Sequence, residues 1–159
     1  CQVLGATCAG LLYAQFHAAG PHRDRTYGLA PRDGYGPSAA GVAELVFTFV
    51  LAYVVLVCAT VSPPSTVRTK HNFFFALAIG SCVTVGGFAA EGISGGALNP
   101  ALSVGIATAS ITHHGWTTPP QFVDCFIYAL WELTGGLLAA VLFRLTHPDE
   151  YKKAPLLAK

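Results

Sequence analysis

The sequence predicts an all-α membrane protein, built from spanning helices and one shorter helix that enters the bilayer without crossing it. Of the 159 residues, 53% are hydrophobic and only 11% are charged, whereas a soluble domain carries about a quarter charged residues. The apolar residues fall into four blocks separated by Pro-rich breakers. We therefore expect an integral, multi-pass protein with membrane lipid as its partner. The net charge of +1 indicates no nucleic-acid partner.

The apolar blocks differ in length, and a helix that spans the membrane needs roughly 20 residues. The first block is too short for a complete span. The second is full length and carries Glu44 as its only charge, and the fourth carries Asp124 and Glu132. The predicted elements of one membrane domain over 1–159 are a partial helix at 1–16, helices at 39–61, 73–90 and 122–145, and a short helix at 100–111.

The short helix follows the stretch SGGALNPALSVG, residues 94–105. Asn99 can cap free N–H groups and Pro100 needs no such partner, so the pair predicts a helix that starts at residue 100. About 11 residues are too few to cross a bilayer and suit a re-entrant half-helix. The alternative is an extramembrane loop with one helical turn. The lack of any charged residue over 92–111 favours the half-buried arrangement.

A half-helix that starts inside the membrane points unpaired N–H groups and its positive dipole end inward. Irregular backbone at that depth must lie against protein or a water-filled cavity. The carbonyls of Gly95, Gly96 and Ala97 would then be acceptors beside a narrow path, with Asn99 as a donor. Such a path suits small neutral polar molecules, since the dipole end repels cations.

The basic residues indicate an orientation. Arg68 and Lys70 lie between the second and third blocks, and further basic residues follow the fourth, while the segment between the third and fourth blocks contains neither Lys nor Arg. The positive-inside rule then puts the 63–72 linker and the C-terminal tail on the cytoplasmic or equivalent side. The loop that carries Arg23, Arg25 and Arg32 falls on the opposite side, which counts against this assignment.

The stretch GGALNPALSVG resembles the second Asn-Pro-Ala box of the aquaporin family of water and glycerol channels, also called major intrinsic proteins. The resemblance covers nearly the whole chain. In order, four further segments are similar to helices three to six of that family: QVLGATCAGLLYAQ, GVAELVFTFVLAYVVLVCAT, FALAIGSCVTVGG and YALWELTGGLLAAVLF. It implies an aquaporin-like helical bundle with a re-entrant half-helix, whose first repeat is missing from this chain.

The resemblance implies roles for matching positions. Asn99, Pro100 and Ala101 would form half of the central constriction of the pore. Glu44 would brace the re-entrant segment by accepting backbone N–H groups. Gly87 and Gly96 fall at positions that line the outer selectivity filter. The family also assembles as homo-tetramers.

Two residues depart from the family pattern. Leu102 stands where most members carry an arginine that supplies donors and positive charge at the narrowest point. Together with Gly87 it predicts a wider, more apolar filter, with poor water specificity and a preference for glycerol-like or other small uncharged solutes. Glu132 stands where the family usually has proline. A glutamate at membrane depth is a candidate site, or else a carboxylate bonded to a neighbouring helix or facing another subunit.

Two functions remain open from the sequence. The first is an aquaporin-like passive channel for water or small neutral solutes such as glycerol. The alternative is a non-conducting scaffold subunit derived from the aquaporin fold, in a larger respiratory or photosynthetic membrane assembly. Leu102, Glu132, the missing first repeat and the absence of Met favour this alternative.

Enzyme chemistry is not expected. The five cysteines form no CxxC pair, which argues against a metal or redox site. His113 and His114 are adjacent and therefore do not share a helix face. The serines lack a nucleophile elbow. We predict no catalytic residue, no metal and no cofactor.

Overall fold

The computed structural model describes residues 1–21, 28–61, 73–115 and 120–152. Within these ranges the regular structure is helical and no strand occurs. The helices in chain order are α1 (Gln2–Ala18), α2 (Pro37–Thr60), α3 (Phe73–Glu91), α4 (Pro100–His114), α5 (Pro120–Thr146) and α6 (Pro148–Lys152).

Three of these helices, α2, α3 and α5, are long and apolar enough to cross a membrane. The shorter α4 has 15 residues, which at about 1.5 Å of rise per residue is well short of the roughly 30 Å hydrocarbon core. A helix of this length needs a neighbour that satisfies its buried end.

The observed helix ends differ slightly from the predicted ones. The helices α2 and α5 begin at Pro37 and Pro120 rather than at 39 and 122, because proline suits the first position of a helix. Helix α4 continues to His114 rather than to 111 and stops at Gly115, which has a φ of 71°. Helix α1 ends at Ala18 rather than at 16, and α6 was not predicted. The basic residues Arg23, Arg25, Arg68, Lys70, Lys153 and Lys159, on which the predicted orientation depends, lie outside the described residues.

Glycines let the helices cross closely. A Cβ at Gly135 of α5 would overlap the carbonyl oxygen of Leu45 on α2, and one at Gly10 of α1 would overlap that of Gly105 on α4. Gly41 of α2 likewise leaves room for the indole of Trp131. Small residues at helix crossings are typical of membrane proteins, where backbones approach closely. The result is two tightly packed pairs, α2 with α5 and α1 with α4.

Large apolar side chains cover the outside of the helices. On α5, Phe126, Leu130, Leu133 and Leu137 are each more than 60% exposed. The buried residues are mostly small, and the buried polar ones include Glu44, Ser94, Ser103 and Glu132. This distribution, apolar outside with a few polar groups inside, suits a lipid environment in which buried polar groups need internal partners.

Candidate functional site

The segment between α3 and α4 turns sharply before the short helix begins. Gly95 and Gly96 have φ values of 96° and 66°, and Leu98 has a φ of 53°. A non-glycine residue in this region is strained by about 1–3 kcal/mol and persists only when its surroundings hold it. Asn99 then caps α4, since its Oδ1 accepts a hydrogen bond of 2.9 Å from the N–H of Ala101.

Glu44 of α2 binds this segment with both carboxylate oxygens. The side chain is fully buried. Its Oε1 accepts hydrogen bonds from the Ser94 hydroxyl at 2.6 Å and the Ala97 N–H at 3.0 Å. Its Oε2 accepts from the N–H of Leu98 at 2.6 Å. These contacts provide the surroundings that hold the left-handed backbone of Leu98.

Glu132 of α5 binds the next residue of the same segment. Its Oε1 accepts hydrogen bonds from the Asn99 N–H at 3.1 Å and from the Ser103 hydroxyl at 3.0 Å. The side chain is 1% exposed, and its Oε2 has no hydrogen-bond partner within the described part of the chain. Glu132 is therefore bonded to the α4 region within its own chain, one of the arrangements that the sequence left open.

Glu44 and Glu132 together form what we call the carboxylate clamp. They accept the N–H groups of three successive residues, Ala97, Leu98 and Asn99. An N–H group left unpaired in buried surroundings costs about 1–3 kcal/mol. Negative charge is also favourable next to the start of a helix. The clamp thus fixes the non-helical backbone that leads into α4.

The segment before α4 has two further contacts that the sequence did not predict. The first comes from Tyr128 of α5. The Tyr128 hydroxyl, on a side chain that is 4% exposed, donates a hydrogen bond of 2.8 Å to the carbonyl of Ser94. Tyr128 lies four residues before Glu132, so both project from one face of α5. The spacing of these two polar residues in an apolar helix is a signal that could have identified them as a pair.

Arg32, in the loop between α1 and α2, makes the second contact. Its backbone N–H donates to the carbonyl of Ile93 at 2.9 Å, and its Nε donates to the carbonyl of Glu91 at 3.3 Å. Its Nη2 lies 3.3 Å from the position that a Cβ on Gly95 would occupy. The loop is therefore bonded to the end of α3 and to the turn that precedes the clamp.

The positions expected to form the filter fall into two cavities. Gly87 and Gly96 are adjacent, since a Cβ on Gly96 would lie 2.7 Å from the carbonyl oxygen of Gly87, and both line a cavity of about 360 Å³. Leu102 is 46% exposed and lines a different, apolar cavity of about 320 Å³ between α1 and α4. The described residues thus pair the two glycines and set Leu102 apart from them.

The expected carbonyl acceptors differ in burial. Gly95 and Gly96 are half-buried and line the cavity shared with Gly87. Ala97 is buried, with 4% of its surface exposed. Asn99 is exposed. The arrangement can therefore offer hydrogen bonds to a solute at Asn99 and along the two glycines more readily than at Ala97.

Metal-binding geometry does not occur among the described residues, where no three His, Cys, Asp or Glu side chains are grouped closely enough to hold an ion. His113 and His114 contact each other edge to face, with ring centroids 4.7 Å apart. All five cysteines are free thiols.

The sequence of this chain is similar to known proteins of one family. The family model described as "Major intrinsic protein" matches residues 1–143. Among curated proteins, the chain is 29% identical over 157 residues to Aquaporin-5 of Botryotinia fuckeliana, covering 98% of this chain and 36% of that protein. It is 33% identical over 130 residues to Probable aquaporin TIP2-2 of Arabidopsis thaliana, covering 82% and 46%. It is 31% identical over 147 residues to Aquaporin PIP1-1 of Zea mays, covering 88% and 46%. No solved structure matches.

Proposed function

Since this chain belongs to the major intrinsic protein family, as its sequence resemblance predicted, we propose that it forms part of a passive membrane channel for water or small neutral solutes. The chain spans about a third to a half of the length of the curated relatives named above. The activity of the whole protein is accordingly a proposal. The observation that supports it most is the carboxylate clamp, which holds an Asn-Pro-Ala segment at the start of a helix too short to cross a membrane.

Asn99, Pro100 and Ala101 act in this proposal at the constriction of the pore. The Oδ1 of Asn99 is occupied by the Ala101 N–H, which orients the side-chain amide so that its N–H₂ can donate to a passing oxygen. The carbonyls of Gly95 and Gly96, with that of Ala97 behind them, accept hydrogen bonds from the solute. Glu44 and Glu132 take no part in transfer and keep this backbone in place.

Leu102 sets the selectivity in this proposal. An uncharged, apolar side chain at 102 replaces donors that would bind water, and Gly87, which lines a separate cavity, adds no side chain that would narrow the path there. We therefore propose that glycerol-like solutes pass in preference to water. The chain acts as one subunit of a homo-tetramer, with the apolar outer faces of its helices against lipid or neighbouring subunits.

The test is solute uptake by vesicles that contain the full-length protein, unmodified or with Leu102→Arg. The expected result is a lower ratio of glycerol to water permeability in the variant, because the guanidinium narrows the path and binds water. Leu102→Met, which keeps the size and the apolar character, is the matched control and should leave the ratio unchanged. An unchanged ratio in Leu102→Arg contradicts the role of Leu102. An unmodified protein whose vesicles are no more permeable than empty ones contradicts the channel and favours the scaffold subunit.

A further inference from the structure

The second oxygen of Glu132 is a buried polar atom that the carboxylate clamp does not use. Its Oε1 accepts from the Asn99 N–H and the Ser103 hydroxyl. Its Oε2 is buried and has no hydrogen-bond partner in the ranges that the structure describes. The side chain as a whole is 1% exposed, so solvent does not reach Oε2 in this conformation. The surrounding protein therefore decides whether this carboxyl group carries a charge.

Glu44 shows what a buried carboxylate needs in order to keep its charge. The Ser94 hydroxyl and the Ala97 N–H donate to its Oε1, and the Leu98 N–H donates to its Oε2. Both oxygens therefore have hydrogen bonds that replace those of water. Glu132 has two donors, and both are on one oxygen. Of the two acids, Glu132 is the one whose negative charge would be poorly compensated.

The two acids also act on each other. They accept the N–H groups of neighbouring residues, Leu98 and Asn99, and interact electrostatically. Two like charges in buried surroundings repel strongly, because little water screens them. The dipole of α4 and the two hydrogen bonds favour a charge on Glu132, but these effects are small beside the burial of an incompletely paired carboxylate. Burial and repulsion together favour one charge rather than two.

No positive charge offsets Glu132 within the described side chains that pack around it. The titratable groups that interact with it electrostatically are Glu44 of α2 and Cys125 and Tyr128 of α5. The thiol and the phenol are neutral at physiological pH. Helix α4 adds hydrogen-bond donors but no charge beside Glu132, since its titratable residues, His113 and His114, are in its last turn. Glu44 is therefore the charge that Glu132 meets.

We propose that Glu132 is a proton-binding site of this protein, with the proton on Oε2 and both hydrogen bonds of the clamp kept on Oε1. A neutral O–H without an acceptor costs far less in buried surroundings than a charged oxygen without a donor. Glu44 then carries the single negative charge of the clamp. When Glu132 releases its proton to solvent, two carboxylates repel each other at adjacent N–H groups, and the segment that presents Asn99 is loosened.

The bound proton makes stability depend on pH. Glu132 in the unfolded chain is ionised at neutral pH, so the folded protein binds one proton more than the unfolded chain. Stability is then greatest at mildly acidic pH and is lost as the pH rises and Glu132 is deprotonated in the folded protein. The effect on transport rests on the proposed channel function. Glycerol uptake should decline together with stability, because Asn99 is held less firmly.

The experiment measures the Tm of the full-length protein in detergent from about pH 5 to about pH 9, unmodified and with Glu132→Gln. The Gln side chain is neutral throughout, and its oxygen can still accept from Asn99 and Ser103. We expect the Tm of the unmodified protein to fall relative to that of Glu132→Gln as the pH rises, since the protonated fraction drops about tenfold per pH unit above its midpoint. Glu91→Gln, at an exposed acid, is the matched control and should keep the pH dependence of the unmodified protein.

Infrared spectroscopy supplies a second readout, which a purely structural role of Glu132 would not change. A protonated carboxyl group has a carbonyl stretching band that a carboxylate lacks. The difference spectrum between mildly acidic and alkaline samples should contain a component of this band in the unmodified protein and in Glu91→Gln. Glu132→Gln should lack that component.

Two results would overturn the proton site. One is a Tm difference between the unmodified protein and Glu132→Gln that stays constant over the pH range, and the other is an infrared difference spectrum that Glu132→Gln leaves unchanged. Glycerol uptake by vesicles tests the channel separately. A protein that shows both signatures of Glu132 and conducts no glycerol at any pH contradicts the channel function and not the proton site. A conducting protein whose uptake ignores pH while its Tm follows Glu132 contradicts the effect on transport.

Discussion

Glu44 and Glu132 are both buried and both bind the segment before α4, yet they use their oxygens differently. Glu44 accepts on both, from Ser94 and Ala97 on Oε1 and from Leu98 on Oε2. Glu132 accepts twice on Oε1, and its Oε2 has no partner among the described residues. Two acids at one site can therefore differ in what they require. Glu44 needs two acceptor oxygens, whereas Glu132 needs one.

The largest effect is expected from Glu44→Ala. It leaves the Ser94 hydroxyl and the N–H groups of Ala97 and Leu98 without their acceptor, at about 3 kcal/mol or more in total. The strained backbone at Leu98 also loses its support. Thermal unfolding of the purified full-length protein in detergent should show a large fall in Tm, or no folded protein should be recovered. Glu91→Ala, at an exposed acid, is the control. Equal Tm values for the two variants would contradict the role assigned to Glu44.

Gly135→Ala tests whether the two halves of the clamp depend on the crossing of α2 and α5. The added methyl group would overlap the Leu45 carbonyl and push apart the helices that carry Glu44 and Glu132, at about 2 kcal/mol. Gly136→Ala is matched, since nothing lies within 4 Å of a Cβ there. The measurement is again Tm, and the expectation is a clear fall for Gly135→Ala alone. Similar Tm values for Gly135→Ala and Gly136→Ala would show that α2 and α5 can move apart without loss of stability.

Glu132→Ala is expected to cost about 1–2 kcal/mol, less than Glu44→Ala. Two donors, the Asn99 N–H and the Ser103 hydroxyl, lose their acceptor, but a buried oxygen without a partner is removed as well. Glycerol uptake should fall along with Tm, because Asn99 is no longer held. A Tm loss equal to that of Glu44→Ala would remove the distinction between the two acids.

The smallest effect is expected from Ser103→Ala, at about 1 kcal/mol or less, through the loss of one hydrogen bond to Glu132. Ser110→Ala on the same helix is the control. Its hydroxyl is buried without a hydrogen-bond partner in the described part of the chain, so its removal should leave Tm unchanged or raise it slightly. If Ser110→Ala lowers Tm as much as Ser103→Ala, the hydrogen bond to Glu132 contributes nothing measurable.

The sequence predicts the helices well and part of the site. Apolar blocks of spanning length mark α2, α3 and α5 because burial in lipid imposes a nearly continuous apolar composition. Asn99 and Pro100 mark the start of α4, because cap and first-turn chemistry is local. These signals need only a few neighbouring residues, so they can be read without a structure.

The partners of Glu132 and Arg32 could not be predicted in this way. Glu132 bonds to a residue 33 positions earlier, and Arg32 to one 59 positions later. Which donor or acceptor each side chain meets depends on how α5 crosses α2 and on the path of an irregular loop. Neither property has a local pattern in the sequence. The family resemblance did not predict these contacts either, since it implied no role for Arg32 and a proline at position 132.

The most direct test of the clamp compares Glu44→Gln with Glu132→Gln by thermal unfolding of the full-length protein in detergent. In Glu44→Gln, whichever way the new amide points, its N–H₂ faces at least one N–H or hydroxyl donor that the carboxylate accepted. The Tm of this variant should therefore fall well below that of the unmodified protein. In Glu132→Gln one oxygen suffices for Asn99 and Ser103, so Tm should stay within a few degrees or rise. Equal losses in both variants, or a larger loss in Glu132→Gln, would contradict the account.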